Sequence, residues 1–349
     1  MRNIVYLNTK IYIEPSIEAI KDMAEKYLIN KQIYCIVDKK VQILFNEKLT
    51  NTFPGAKFLP IDANEGTKSL STVESLYSSL LGTGCDRSSF IIGIGGGITL
   101  DIAGFVASTY YRGVPFGYIA TTLLAQADAS IGGKNGVNFG RFKNIIGTIN
   151  QPRFVFCPLD VLSALPLGEI LNGLAECIKH SLIASNKYFD FLENKFQDLL
   201  RLEPTSIVRT IAESAAIKSE IIAIDERESG IRKILNFGHT LGHAIESAAG
   251  ISHGLAVASG MKFAADLSVK ISGFSPEDNG RIQNLLKNFA EISVVNIENQ
   301  SLIEAFRKDK KKNADTIDFI LLNNIGEPAI YKFSFAELES ETVKYDFKF

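Results

Sequence analysis

The chain has 349 residues, 46% hydrophobic and 22% charged, which is more apolar material than one small core holds and points to two globular domains. Its net charge of −2 gives no reason to expect a nucleic-acid or membrane-surface partner. The opening MRNIVYLNTK lacks a signal-peptide apolar core, no run of about 18 uncharged apolar residues occurs, and Cys35, Cys85, Cys157 and Cys177 form no CxxC pair, so the expectation is a cytoplasmic protein with reduced thiols.

Residues 3–13 read as strand and residues 16–28 as helix. QIYCIV, residues 32–37, is a short apolar run ending at Asp38, the pattern of a buried parallel strand. A short helix leads to a strand at 56–61, and the turn Asn64-Glu65-Gly66 leads to a helix at 68–81. The strand at 90–94 runs into Gly95-Gly96-Gly97 and a helix to about Tyr110. Phe116–Ala120 and residues 154–157 add strands, while residues 121–144 show no periodicity and read as a glycine-rich loop. This alternation predicts a parallel sheet with helices on both faces. From Leu162 the period changes, with helical spacing over Leu167–Ala184, 188–200, Pro204–Ile224, 231–249, 254–272 and 276–289. We therefore divide the chain into an α/β domain, 1–162, and a mainly α-helical domain, 163–349. Strands at 317–322 and 329–333 pair across a turn near the end, and RKDKKK at 307–312 reads as a solvated helix end.

Three of the four histidines, His239, His243 and His253, lie between Asn236 and Gly254. His239 and His243 are four apart and share a helix face; His253 follows a Gly-Ile-Ser turn. Such a group suits a divalent cation if an oxygen ligand arrives from elsewhere, or is a helix with polar surface histidines. Glu176 and Lys179 share a face within the apolar run GLAECIK, either as an ion pair or with Glu176 as that missing ligand. Gly95-Gly96-Gly97 opens a helix, where backbone could approach a diphosphate; the alternative is a tight turn, since GxGxxG is absent. Asp38 suits ribose hydroxyls or a helix cap. Asp128, Lys134, Lys143 and Asn144 fit a loop that binds a phosphorylated ligand, or a plain surface loop. The charged run Asp225–Glu228 with Arg232 reads as a solvated junction or as part of a site, and Lys218 carries no signal alone.

Together the blocks GGGITLDIAGFVASTYYRG, ATTLLAQADASIGGKNGVN, KNIIGTINQP, GLAECIKHSLI, DERESGIRKILNFGHTLGHAIE, HGLAVASGM and RKDKKK resemble the dehydroquinate synthase family of sugar-phosphate cyclases, over nearly the whole chain. The resemblance implies an N-terminal NAD-binding Rossmann-like domain, a helical C-terminal domain and an active site between them. It places Zn²⁺ or Co²⁺ on Glu176, His239 and His253, which removes His243 from the ligands. It places NAD on Asp38, Glu65, Lys68, Gly96, Gly97, Asp101, Thr121 and Thr122. The implied catalytic residues are Glu228, His243, Lys179 and Asp128, with Glu228 and His243 handling protons. The implied substrate residues are Lys134, Lys143, Asn144, Lys218, Arg232, Asn236, one of Lys310 and Lys311, and Arg112 reaching into a second subunit of a homodimer. The implied reaction takes 3-deoxy-D-arabino-heptulosonate 7-phosphate to 3-dehydroquinate and phosphate in the shikimate pathway, with no net redox change. Asn64 replaces the usual glycine before Glu65, Leu100 that before Asp101, Asn135 a common threonine, and Leu255 the glutamate of an HGE motif. The alternatives are a 2-deoxy-scyllo-inosose or 2-epi-5-epi-valiolone synthase, a metal-dependent alcohol or glycerol dehydrogenase, or a non-catalytic NAD-binding relative.

Overall fold

The computed structural model describes residues 2–140, 142–290 and 316–345. Two compact units are present: Met1–Pro166 with Leu202–Arg227, and Leu167–Arg201 with Glu228–Phe349.

The first unit is built on a seven-stranded sheet of β1 (Arg2–Tyr6), β2 (Thr9–Glu14), β3 (Ile33–Asp38), β4 (Lys57–Ile61), β5 (Phe90–Gly95), β6 (Phe116–Ala120) and, after the hairpin described below, β9 (Phe154–Pro158). The strand order is β1-β2-β9-β6-β5-β3-β4, and only β1 runs antiparallel to its neighbour. Every residue of β5, β6 and β9 is buried, which is why these strands read as unbroken apolar runs. Cys35, Val37, Ile92, Ile94, Ile119 and Phe156 form the centre of the core. The crossover helices are α1 (Ile20–Leu28), α2 (Lys39–Thr52), α3 (Leu70–Gly82) and α4 (Gly97–Thr109).

The segment 121–144 is not the irregular loop expected from its sequence. It holds a π-helical turn at Ala125–Ala129 and enters a hairpin of β7 (Lys134–Phe139) and β8 (Phe142–Ile149). The strand period is hidden because Gly136 and Gly147 face each other across the hairpin. A Cβ on Gly147 would lie 2.4 Å from the Asn135 carbonyl, so the backbones meet where side chains would alternate.

The helix at Pro204–Ile224 (here α7, after α5 and α6 below) belongs to the first unit, packed against β1, β2 and the π-helical turn, although it follows the break expected at Leu162. Pro204 occupies its first turn, and Glu203 caps it by accepting from the Thr205 and Ser206 amides.

The second unit contains α5 (Leu167–Ala184), α6 (Asn186–Leu200), α8 (His239–Ala249), α9 (His253–Ile271), α10 (Pro276–Ala290), the hairpin β10 (Thr316–Asn324) and β11 (Glu327–Ser334), and α11 (Phe335–Lys344). The single helix expected over 231–249 is broken. A 3₁₀ turn covers Ile231–Asn236, and Gly238, at φ +76°, resets the chain before α8. Gly238 meets α9 closely: a Cβ there would sit 2.5 Å from Met261 Cγ, and a Cβ on Gly260 would sit 1.9 Å from the Gly238 carbonyl. The chain therefore needs glycine at this crossing on steric grounds.

Candidate metal centre and glycine-rich helix start

His239 is the first residue of α8, and His253 is the first residue of α9. Glu176 lies in the middle of α5. The Asn172 side chain, one turn before Glu176, accepts from the Gly254 amide at 2.9 Å, which ties the start of α9 to α5. Donor atoms of Glu176, His239 and His253 all lie within 4.8 Å of one another. Nε2 of His239 is 3.2 Å, and Nε2 of His253 3.1 Å, from the same oxygen, Glu176 Oε1. Each ring has its other nitrogen held from behind. His239 Nδ1 faces the Phe237 carbonyl at 3.2 Å, and His253 Nδ1 faces Glu246 Oε2 at 3.1 Å.

This arrangement calls for positive charge. A carbonyl and a carboxylate only accept, so both Nδ1 atoms carry a proton, and each Nε2 either donates to Glu176 as imidazolium or, without its proton, turns a lone pair toward a cation shared with that carboxylate. Two lone pairs and an anionic oxygen converge only around protons or a shared cation. Desolvation works against charge on His253, but Glu176 and Glu246 outweigh it and push the imidazole up to about 10. Burial likewise opposes the charge of Glu176, yet the Lys179 ammonium and then His239 hold it well below the usual carboxylate range. One carboxylate and two imidazoles are a donor set suited to Zn²⁺ or Co²⁺.

Glu176 Oε2 pairs with Lys179, both side chains being buried, so the ion pair and the ligand geometry coexist on one carboxylate. His243 stands outside the converging set. It is solvent-exposed, with its ring centroid 5.3 Å from that of His239. The surrounding protein, then His239 and His253, push its pKa below the ordinary value. In the same unit Glu228, at φ +61°, accepts from Asn236 Nδ2 at 2.7 Å, and Arg232 is buried on the 3₁₀ turn.

In the first unit, Gly96 caps α4 in an extended conformation with no side-chain hydrogen bond, leaving the first-turn amides without a side-chain partner. A Cβ on Gly96 would lie 3.0 Å from Thr122 Cγ2, and one on Gly97 3.3 Å from Ala129 Cβ. The glycines thus let Thr122 and Ala129 pack closely on the start of α4, and the helix N-terminus itself is the feature that suits a diphosphate. The Thr121 amide donates to the Gly95 carbonyl at 3.0 Å and Thr122 Oγ1 accepts from Ala125. Asp38 ends β3 and caps α2 through the Lys40 amide at 2.9 Å; burial pushes its carboxyl up. Lys68 reaches Asp101 at 2.6 Å and Asn144 Oδ1 at 2.5 Å. Glu65 accepts from Asn138 Nδ2 at 2.8 Å, and Asn138 Oδ1 accepts from the Asn144 amide at 2.9 Å. Lys218 on α7 reaches Asp128 Oδ1 at 2.8 Å.

Lys134, Lys143 and Arg112 are exposed, and Arg112 has φ +65°. Lys310 and Lys311 lie outside the described residues. Asn135 accepts from Tyr118 Oη at 2.6 Å and donates to the Gly133 and Asn150 carbonyls, so its departure from threonine serves the hairpin. Leu255 is buried. Sequence reasoning missed Asn138, Asn172 and Glu246. Their signal was only that of polar residues within blocks, and their partners lie 73, 82 and 7 positions away.

A family model for the N-terminal part of 3-dehydroquinate synthase matches residues 58–172, and one for its C-terminal part matches residues 173–312. The 3-dehydroquinate synthase of Thermoanaerobacter pseudethanolicus is 36% identical over 323 residues, 90% of this chain and 91% of that protein. A solved 2-deoxy-scyllo-inosose synthase, complexed with carbaglucose-6-phosphate, NAD⁺ and Co²⁺, superposes with a TM-score of 0.88 at 26% identity, covering 98% of each chain. A 2-epi-5-epi-valiolone synthase from Streptomyces hygroscopicus subsp. jinggangensis, with NAD⁺ and Zn²⁺ bound, shares the fold with a TM-score of 0.86 at 24% identity, covering 98% of this chain and 97% of that one.

Proposed function

The chain belongs to the 3-dehydroquinate synthase family, and from that premise we propose how its residues divide the work of this enzyme. The reaction converts 3-deoxy-D-arabino-heptulosonate 7-phosphate to 3-dehydroquinate and phosphate. The observation that carries the assignment is the convergence of two imidazole nitrogens on Glu176 Oε1 in a chain of this family.

Glu176, His239 and His253 would hold Zn²⁺ or Co²⁺, and the Gly96-Gly97 helix start would hold NAD⁺; when bound, the metal supplies Lewis acidity toward substrate hydroxyls and the nicotinamide a hydride acceptor that is regenerated. The remaining tasks fall to side chains of the chain itself. The α4 amides bind the diphosphate, with Thr121 and Thr122 beside it and Asp38 and Glu65 toward the ribose and adenine side. Lys68 and Asp101 position that region by joining α4 to the hairpin. Lys134, Lys143, Arg232 and one of Lys310 and Lys311 bind the phosphate and carboxylate of the substrate through charge-assisted hydrogen bonds. Asn144, Lys218 and Asn236 orient its hydroxyls, with Asp128 and Lys179 beside the reacting carbons. His243 is neutral near pH 7 because its pKa is depressed, so it offers both a donor and a lone pair. Glu228, held at Oε1 by Asn236, is the second proton-handling group.

Arg112 completes the site of a second copy, so the working form is a homodimer. No described helix is long and apolar enough to cross a membrane, and the four free cysteines are buried, which supports a cytoplasmic enzyme. The test is incubation with NAD⁺, Co²⁺ and the heptulosonate phosphate. Equal release of phosphate and dehydroquinate without NADH accumulation is expected. Steady NADH formation from simple alcohols, with no phosphate release, would overturn the reading.

A further inference from the structure

Glu246 touches the metal-facing cluster without a task in the chemistry above. It lies on α8, seven residues beyond His239, and its Oε2 is 3.1 Å from Nδ1 of His253. The two histidines are held differently. His239 is fixed by a main-chain carbonyl, which no substitution removes, whereas His253 is fixed by a side chain. His253 is also the first residue of its helix, so no preceding helical turn packs against its ring. Its side chain is 30% exposed. Leu255, two residues on, offers no polar group.

We propose that Glu246 is a positioning residue for the metal. It accepts the Nδ1–H of His253, fixes the tautomer whose Nε2 carries the lone pair, and keeps that nitrogen on Glu176. The proposal rests on Glu176, His239 and His253 being the metal ligands.

The experiment titrates Co²⁺ into chelator-stripped protein and records affinity and the visible ligand-field spectrum for wild type, E246A, E246Q and H253A. Wild type binds one Co²⁺, and H253A loses tight binding. E246A weakens binding about 10- to 100-fold and shifts the spectrum, with an unchanged apo melting temperature. E246Q stays near wild type, because its amide oxygen accepts the same N–H. If E246A does not fold, E246L replaces it, keeping volume without an acceptor. Wild-type affinity and spectrum in the acceptor-free variant overturn the positioning role and leave the ligand set standing. E246Q as weak as E246A also overturns it, since charge rather than orientation would then act. Wild-type Co²⁺ affinity in H253A overturns the ligand set itself.

Discussion

Lys68 and Asp101 form an ion pair at 2.6 Å, with side chains 6% and 23% exposed, at the junction of α3, α4 and the β7–β8 hairpin. The Lys68 ammonium also reaches Asn144, and its carbonyl accepts from the Asn138 amide at 2.8 Å. Burial raises the Asp101 pKa, and Lys68 opposes that rise. Removing Lys68 therefore leaves a carboxylate with little solvent and less compensation. A fully buried pair costs about 3–5 kcal/mol to break, and the partial exposure of Asp101 reduces this to about 2 kcal/mol. The sign of the pH dependence follows. With a folded-state pKa above the unfolded one, the folded protein binds the proton more tightly, so stability falls as pH rises through the folded pKa. K68A should be more destabilised at pH 7.5 than at pH 4.5, and K68A/D101N should recover most of the loss. Urea unfolding at the two pH values checks this; equal losses would show that the pair carries no linkage.

The histidine stretch yields a sharper test. Spacing alone pairs His239 with His243, whereas the structure turns His239 and His253 toward Glu176. H253A and E176Q should each lower bound Zn²⁺ in purified protein to a small fraction of one equivalent. H243A should keep the metal and lose turnover about 100-fold, the scale of one proton-transfer group. Elemental analysis beside phosphate-release kinetics separates the two. Metal lost from H243A but kept by H253A would reinstate the spacing argument.

The sheet was legible because its strands are buried on both faces and so read as apolar runs; Phe116–Ala120 was read to the residue. The helices Leu167–Ala184 and Pro204–Ile224 were equally plain from their 3.6-residue period. What was not legible is what depends on backbone rather than side-chain pattern. Gly136 opposite Gly147 erases the strand period of the hairpin. Gly238 at positive φ breaks a helix whose apolar spacing runs straight through it. Glu176 could not be joined to His239 from spacing, since they are 63 positions apart and meet only because α5 and α8 both pack on α9. The family resemblance supplied that pairing; in the structure Nε2 of each histidine lies 3.1–3.2 Å from Glu176 Oε1.

The α8–α9 crossing depends on Gly260. A Cβ there would overlap the Gly238 carbonyl at 1.9 Å, and the two helices would have to separate. Overpacking of this kind costs about 1–3 kcal/mol. Because His239 and His253 begin these helices, the same displacement should spread the donor atoms. G260A should be less stable in urea and bind Co²⁺ at least about tenfold more weakly. G280A is the control: nothing lies within 4 Å of a Cβ at that helical position, so alanine should stabilise by up to about 1 kcal/mol. Normal metal affinity in a destabilised G260A would uncouple the crossing from the site.

Lys218 and Asp128 offer the last test, within the first unit. Lys218 Nζ lies 2.8 Å from Asp128 Oδ1 and 2.8 Å from the Asp128 carbonyl, so one buried ammonium holds both the side chain and the backbone of the π-helical turn. Its removal should misplace Asp128 as well as delete a substrate contact. K218M should lose about 100-fold in kcat, the scale of a misplaced catalytic group. D128N keeps the carbonyl contact and the shape, and should lose activity with little change in stability. Because the two act as one unit, the double variant should be far less impaired than the product of the single losses. Steady-state kinetics of all four proteins decide it. Multiplicative losses would mean that Lys218 and Asp128 act on the substrate independently.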